Sequence, residues 1–291
     1  MFKNKNIIKS ILKLALASFL FILIILIIFG GGYGHVSLKN LTQGHPVLFA
    51  HRGVVQKGIV ENSKAAFDLA VNYGFKAVET DLNITRDGKL IIFHDKDLKR
   101  LLHIDTSLYQ VDWQFIKDKN LFSGKIKTPQ KIMSFEQFLN YTNPETIVYL
   151  DIKNHSWQVA DSLLHFFKKY PHAHEHIMIA DESLLFLNYL RAKNNRITVI
   201  WEGFNNGKEW LYHIIPRKFK PDYYASFFHK VDQNQMTFLK KNHLVSQKIV
   251  YGIDKTNLEK AINMGLINII LDYKPEMGTL NEIYHRLQKS E

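Results

Sequence analysis

The run from Val47 to Asp95 constrains this chain more than any other stretch. It carries His51-Arg52-Gly53, then Glu61-Asn62, then Glu79-Thr80-Asp81, and after an Asp87-Gly88 turn it closes on His94-Asp95. Apolar, strand-like residues precede the first, third and fourth clusters: Val47-Leu48-Phe49, Ala77-Val78 and Leu90-Ile91-Ile92-Phe93. The polar groups therefore sit where strands end. In an α/β barrel the carboxyl ends of parallel strands carry the catalytic side chains. Two histidines, one arginine and two carboxylates placed this way point to metal-assisted phosphoryl transfer.

The chain has 291 residues. Setting the amino end aside leaves roughly 255, near the usual size of a (β/α)8 barrel. The expected division is residues 1–35 as lysines and membrane anchor and 36–291 as the barrel, with 95–131 inserted in it. No Gly/Ser- or Pro-rich linker and no internal repeat interrupts the second part. There is no cysteine, which excludes a disulfide framework, a thiolate zinc site and a cysteine nucleophile. The net charge of +11 suits nucleic acid, an anionic membrane or an anionic substrate. No nucleic-acid fold signature accompanies it, so no nucleic-acid partner is expected.

Leu14 to Gly34 carries no charged side chain. About 20 residues of helix cross a bilayer, whereas a signal peptide has an apolar region of only about 7–15. The reading is an uncleaved, single-pass transmembrane helix. Lys3, Lys5, Lys9 and Lys13 precede it and Lys39 follows, which puts the amino terminus in the cytoplasm and the rest of the chain outside.

Pro46–Ala50 reads as a first strand. Ser63 caps a helix from Lys64 to about Tyr73, with Phe67, Ala70 and Val71 on its apolar face and Gly74 as its stop. Lys76–Ile84 and Lys89–Phe93 are the next strands, with no room for a helix between them. Asp95–Lys131 is too long for a structureless loop and reads as an insertion over the barrel mouth. Ser134 to Gln137 has the form of a capping box. Ile147–Ile152 is a fourth strand, and Trp157–Tyr170 is helical. Ile177–Ala180, Ile197–Trp201, Tyr223–Ser226, Lys248–Ile253 and Ile267–Leu271 are later strands. That makes nine for eight barrel places, and Tyr223–Ser226 is the weakest of them. A doubly wound open sheet is the rival fold, but its dinucleotide version lacks the Gly-rich turn after strand one. The run His172 to His176 reads as a solvated loop rather than a metal site.

Residues two apart on a strand share a face, so Glu79 and Asp81 point the same way, as do Asp151 and Lys153. A paired carboxylate facing inward is costly without a cation. Oxygen ligands select Mg²⁺ or Ca²⁺, and Asp151 is a third ligand at the end of strand four. His51 and His94 suit general acid–base work. Arg52 and Lys153 suit phosphate oxygens and the charge that builds on them, and Gly53 lets backbone approach a ligand closely. Glu61 and Asn62 either cap the first helix or orient His51 and Arg52.

These motifs, in this order and spacing, together with Thr85-x-Asp87-Gly88, Ile132 to Leu139 and Leu150-Asp151-Ile152-Lys153, resemble the glycerophosphodiester phosphodiesterase family. The likeness fades from Trp157 to Phe238 and returns weakly at Tyr251 to Asp254 and Ile269 to Tyr273. It implies a TIM-type barrel with a small insertion after strand three. It also implies hydrolysis of glycerophosphodiesters to glycerol 3-phosphate and an alcohol, with a divalent cation. By the same resemblance His51 and His94 are the acid–base pair, Arg52 binds phosphate, and Glu79 and Asp81 hold the ion. The family's usual fourth-motif glutamate is Asp151 here, its late Trp is Tyr251, and its Thr before the last Asp is Leu271. Two other readings are lysophospholipase D-like hydrolysis at a membrane and a catalytically inactive, membrane-anchored binding protein.

Overall fold

The computed structural model describes residues 2–28 and 46–289. The chain forms two compact units, Met1–Gly34 and His35–Glu291. The described residues of the first form one helix, α1 (Phe2–Ile28). Its side chains are described for residues 9–25, and every large apolar one among them, from Ile11 to Ile25, is exposed. The expected transmembrane span finds no support here: among the described residues no helix is long and apolar enough to cross a membrane.

The second unit is built on twelve strands: β1 (Val47–His51), β2 (Ala77–Ile84), β3 (Leu90–Ile92), β4 (Phe122–Ser123), β5 (Ile126–Lys127), β6 (Met133–Ser134), β7 (Ile147–Ile152), β8 (Ile177–Asp181), β9 (Thr198–Glu202), β10 (Tyr223–Phe227), β11 (Lys248–Ile253) and β12 (Asn268–Leu271). Strands β1, β12, β11, β10, β9, β8, β7 and β2 pair in that order, all parallel, and β1 pairs with β2 to close the ring. This is an eight-stranded parallel barrel. Strands β3 and β6 extend β2 antiparallel, outside the ring. The ninth strand is therefore Leu90–Ile92. Tyr223–Phe227, which looked weakest, is a barrel strand. Its two tyrosines are buried on opposite faces, Tyr223 in the barrel interior and Tyr224 toward the helices.

Helix α2 (Lys64–Asn72) follows β1, with Ser63 accepting from the Ala66 N–H as its cap. Phe67 and Ala70 are buried, but Val71 faces solvent. The capping box forms as expected on α3 (Phe135–Tyr141). Helices α4 (Trp157–Lys169), α5 (Leu184–Lys193), α6 (Glu209–Ile214), α7 (Gln233–Lys241), α8 (Leu258–Asn263) and α9 (Leu280–Lys289) complete the series. The His172 to His176 run is a 3-10 turn before β8. His174 and His176 are buried in it, so it is not a solvated loop.

Strand alternation sorts the core into two layers. Phe49, Ile147, Tyr149, Met178, Ile200, Tyr223, Ile249 and Ile270 fill the barrel interior. Their neighbours, such as Leu48, Val148, Ile179 and Val250, pack outward against the helices. The insertion is folded over a small core of its own, which includes Leu98, Leu108, Ile116 and Leu121. Its β4–β5 hairpin is tied to the loop after β1 by the Gly58 N–H, 3.2 Å from Ser123 Oγ.

Candidate active site

The alternation that points Phe49 inward at mid-barrel points His51 inward two residues later, and the same holds for Glu79 and Asp81 after Ala77 and for Asp151 after Tyr149. Register brings these ends together, with His51 opposite Glu79 and Asp81 opposite Asp151. One carboxylate oxygen from each of Glu79, Asp81 and Asp151 lies within 4.8 Å of the other two. Lys153 pairs with Asp151, and its Nζ lies 3.0 Å from Asp81 Oδ1. That approach has no hydrogen-bond alignment, so Asp81 Oδ1 is buried without a hydrogen-bond partner.

The electrostatics are strained. Burial, then the charge of Asp81, pushes the Glu79 carboxyl up to about 8, against the pull of His51 and Arg52. Burial also raises Asp151, with Lys153 opposing. Asp81 is held below the usual range, because Lys153 and Arg52 outweigh its burial. Lys153 is buried, yet Asp81 and Asp151 hold its pKa up. Three crowded carboxylates with one lysine among them, and one oxygen lacking a hydrogen bond, fit a divalent cation by donor type and by charge.

His51 is fixed from both sides. Its Nδ1 lies 2.5 Å from Asp272 Oδ1, and its Nε2 lies 3.8 Å from Glu79 Oε2. Burial lowers its pKa, but Glu79 and Asp272 together leave it raised. His94 follows β3, outside the ring. The Phe93 N–H donates to Asp81 O at 2.9 Å, which brings the returning strand to the level of the carboxylates. Its Nδ1 is 2.8 Å from Asp95 Oδ1.

Arg52 and Asn62 both adopt positive φ, 53° and 56°. Gly53 shares that region, and a Cβ there would meet the Ala66 backbone at 2.6 Å, so the glycine is also required by the packing of the helix that follows. The Arg52 N–H donates to Glu79 Oε2 at 2.9 Å, and its side chain reaches Glu61 at 2.8 Å and Asp81 at 3.1 Å. Asn62 donates to Asp81 Oδ2 at 2.6 Å and accepts from the Thr80 hydroxyl at 2.8 Å. Of the two residues, Glu61 holds the Arg52 guanidinium, whereas the Asn62 side chain meets Asp81 and Thr80 rather than His51 or Arg52. The capping role belongs to Ser63.

Three groups at the mouth were not anticipated. Asp272 directly follows the last strand, and Glu202 closes β9. Both obey the rule that exposed the other sites, a polar residue after an apolar run, and could have been found by it. Glu202 accepts from Tyr149 OH at 2.6 Å, and burial with the charge of Asp151 pushes it up to about 8. Arg100, in the insertion, donates to both Glu61 and Asp95 at 2.6 to 2.9 Å. It thereby links the supports of Arg52 and His94, and no sequence signal marks it. A cavity of about 280 Å³ opens beside His51, Arg52, Glu61 and Asp272. A larger cleft, about 760 Å³, lies between the β2–β3 turn and α4, away from these groups.

The model of the Glycerophosphoryl diester phosphodiesterase family matches residues 51–274. The chain is 32% identical over 120 residues to "Probable glycerophosphodiester phosphodiesterase 2" of Mycobacterium tuberculosis, covering 41% of this chain and 43% of that protein. It is 27% identical over 137 residues to Lysophospholipase D GDPD1 of Rattus norvegicus, covering 43% and 42%. The matched stretches thus span less than half the length of these curated relatives. Among solved structures, an Oleispira antarctica phosphodiesterase in complex with the product sn-glycerol-3-phosphate has the same fold. Its TM-score is 0.67 at 19% identity, over 81% of this chain and 96% of that one.

Proposed function

The chain belongs to the glycerophosphoryl diester phosphodiesterase family, and from that premise we propose that it is a phosphoric diester hydrolase. It cleaves glycerophosphodiesters to glycerol 3-phosphate and an alcohol, with a divalent cation, Ca²⁺ or Mg²⁺. The observation that carries this reading is the trio of carboxylate oxygens from Glu79, Asp81 and Asp151, within 4.8 Å of one another at the mouth that also holds His51 and Arg52.

Glu79, Asp81 and Asp151 would hold the cation, which when bound supplies charge for the phosphate oxygens. Arg52 and Lys153 bind those oxygens from either side. His51 and His94 move the protons: one takes the proton of the substrate's neighbouring hydroxyl as that oxygen bonds to phosphorus, and the other gives one to the alcohol whose P–O bond breaks; water then opens the cyclic phosphate, with the two roles reversed, to give glycerol 3-phosphate. Each has Nδ1 engaged by a carboxylate, Asp272 for His51 and Asp95 for His94. Nε2 is therefore the working atom in both. Glu61 and Asn62 keep Arg52 and Asp81 in position. The test is release of glycerol 3-phosphate from a panel of glycerophosphodiesters by the purified chain with each ion. Activity that survives full chelation by EDTA sinks the metal role, and no release from any member sinks the reaction.

A membrane anchor over residues 1–35, with the barrel of 36–291 on the extracytoplasmic side, rests on the sequence alone, an uncharged run from Leu14 to Gly34 with lysines before it. A reporter fused after Glu291 and active only in the cytoplasm would reverse that topology. Lysophospholipase D-like hydrolysis is the second reading. It is favoured by the likeness to the rat lysophospholipase D.

A further inference from the structure

We propose that the mouth face of the barrel docks on an anionic lipid bilayer, so that the site meets phosphodiester headgroups held in that surface. The proposal rests on the phosphodiesterase reading only for what the site does once docked.

Large apolar side chains exposed singly are ordinary on a soluble protein. Here they are not scattered. Among residues 46–289, Phe115, Ile126, Trp157, Leu185, Trp210 and Phe227 stand 42 to 70% exposed, and all six belong to segments on the mouth side. Only Val71 and Ile214 of this exposed class lie elsewhere. Trp157 opens α4, Leu185 and Trp210 sit in the first turns of α5 and α6, and Phe227 closes β10. These positions follow β7, β8, β9 and β10, which are neighbours in the ring, so they form an arc along one side of the mouth. Ile126 lies on the hairpin that Ser123 ties to the loop after β1, on the other side, and Phe115 lies on the helical turn that Asp112 and Trp113 bind to the β2–β3 turn. The apolar groups therefore flank the opening from both sides.

Lysines accompany them. Lys125 and Lys127 are exposed on either side of Ile126 at the β4–β5 hairpin. The ammonium of Lys119 lies 4.3 Å from the centre of the Phe115 ring, and that of Lys230 lies 5.6 Å from the Phe227 ring. Tryptophan seats at the headgroup level of a bilayer, apolar body inward and N–H outward. A lysine near an anionic surface adds about 1 kcal/mol, or about fivefold in binding. A protein partner on this collar would plug the opening, whereas a lipid surface would supply substrate through it.

The chain has four tryptophans, Trp113, Trp157, Trp201 and Trp210, and none lies in the unit that carries α1. Tryptophan fluorescence therefore reports on the barrel unit whatever α1 does. The experiment adds the full chain to phosphatidylcholine–phosphatidylglycerol vesicles whose acyl chains carry bromine, a contact quencher. Docking predicts quenching relative to plain vesicles, and much less of it in the Trp157→Phe/Trp210→Phe variant, which keeps only Trp113 beside Phe115 and the buried Trp201. No difference between brominated and plain vesicles overturns the proposal, as does a double variant quenched as deeply as the parent. A second variant, Lys125→Ala/Ile126→Asp/Lys127→Ala, is expected to slow hydrolysis of a vesicle-borne lysophospholipid several-fold while leaving the rate on a soluble glycerophosphodiester unchanged. Equal rates on both substrates with the parent chain also overturn it. A parent chain that hydrolyses neither substrate refutes the phosphodiesterase reading instead, and the quenching result still judges docking.

Discussion

The two ends of the barrel interior are made by the same strands and differ in almost every physical respect. At mid-barrel and below, Phe49, Ala77, Ile147, Tyr149, Ile200 and Ile249 are buried against one another, and the only polar atom they bring, the Tyr149 hydroxyl, is satisfied by Glu202. Two residues further along, the same faces present His51, Glu79, Asp151, Glu202 and Tyr251. Burial that stabilises the first set penalises the second, since a desolvated carboxylate is driven toward its neutral form. One end of the barrel holds the ring closed. The other is held in an electrostatically costly arrangement by that closure, and the cost is what makes the site able to take a cation.

The largest expected effect falls on the mouth. His51→Ala and His94→Ala should each lose at least about 10² in kcat, the contribution typical of a general acid or base. Circular dichroism should show both still folded, because the two rings are partly exposed. A nitrophenyl diester, whose leaving group needs little protonation, should rescue one variant far more than the other. Near-native rates in either would erase the contrast between the ends.

Ile200→Ala or Ile249→Ala, at the apolar end, should do the reverse. Each should cost about 2–5 kcal/mol of stability in denaturant unfolding, with kcat per folded molecule nearly unchanged. A large kcat loss without destabilisation would mean that the packed layer reaches into the chemistry.

Asp272→Asn sharpens the comparison at a single contact. It should cost about tenfold in kcat, less than removing the imidazole it orients. Because Asp272 helps to raise the His51 pKa, its loss should also shift the corresponding limb of the pH–rate profile to lower pH. An unmoved profile would reduce Asp272 to a structural partner.

The smallest effect is a linkage. Glu79 rises from 4.5 to about 8 in the folded chain without an ion. Between those values the folded chain keeps a proton that the unfolded chain releases, so its stability falls as pH rises through that window. Cation binding displaces that proton. The gain in Tm on adding Ca²⁺ or Mg²⁺ should therefore be slight near pH 5 and grow toward pH 8, and Glu79→Gln should weaken it throughout. A gain independent of pH would place the ion elsewhere.

Much of this was legible in one dimension because the signals are local. A strand alternates with period two, so Glu79 and Asp81, or Asp151 and Lys153, had to share a face wherever the strand went. Ser63 and Ser134 cap their helices through atoms three residues away. A motif of such local signals, with a spacing that resembles a known family, was enough for the barrel and for the meeting of the acidic trio. Tertiary structure alone decided the contacts between distant segments. Asp272 meets His51 only because β12 closes the ring on β1. Arg100 joins Glu61 to Asp95 only because the insertion folds back over the mouth. Tyr223–Phe227 enters the barrel, and Leu90–Ile92 stays out of it, because the closed ring leaves one parallel place beside β9 and none beside β3. Pairings of that kind depend on which ends meet, and no window of sequence contains both partners.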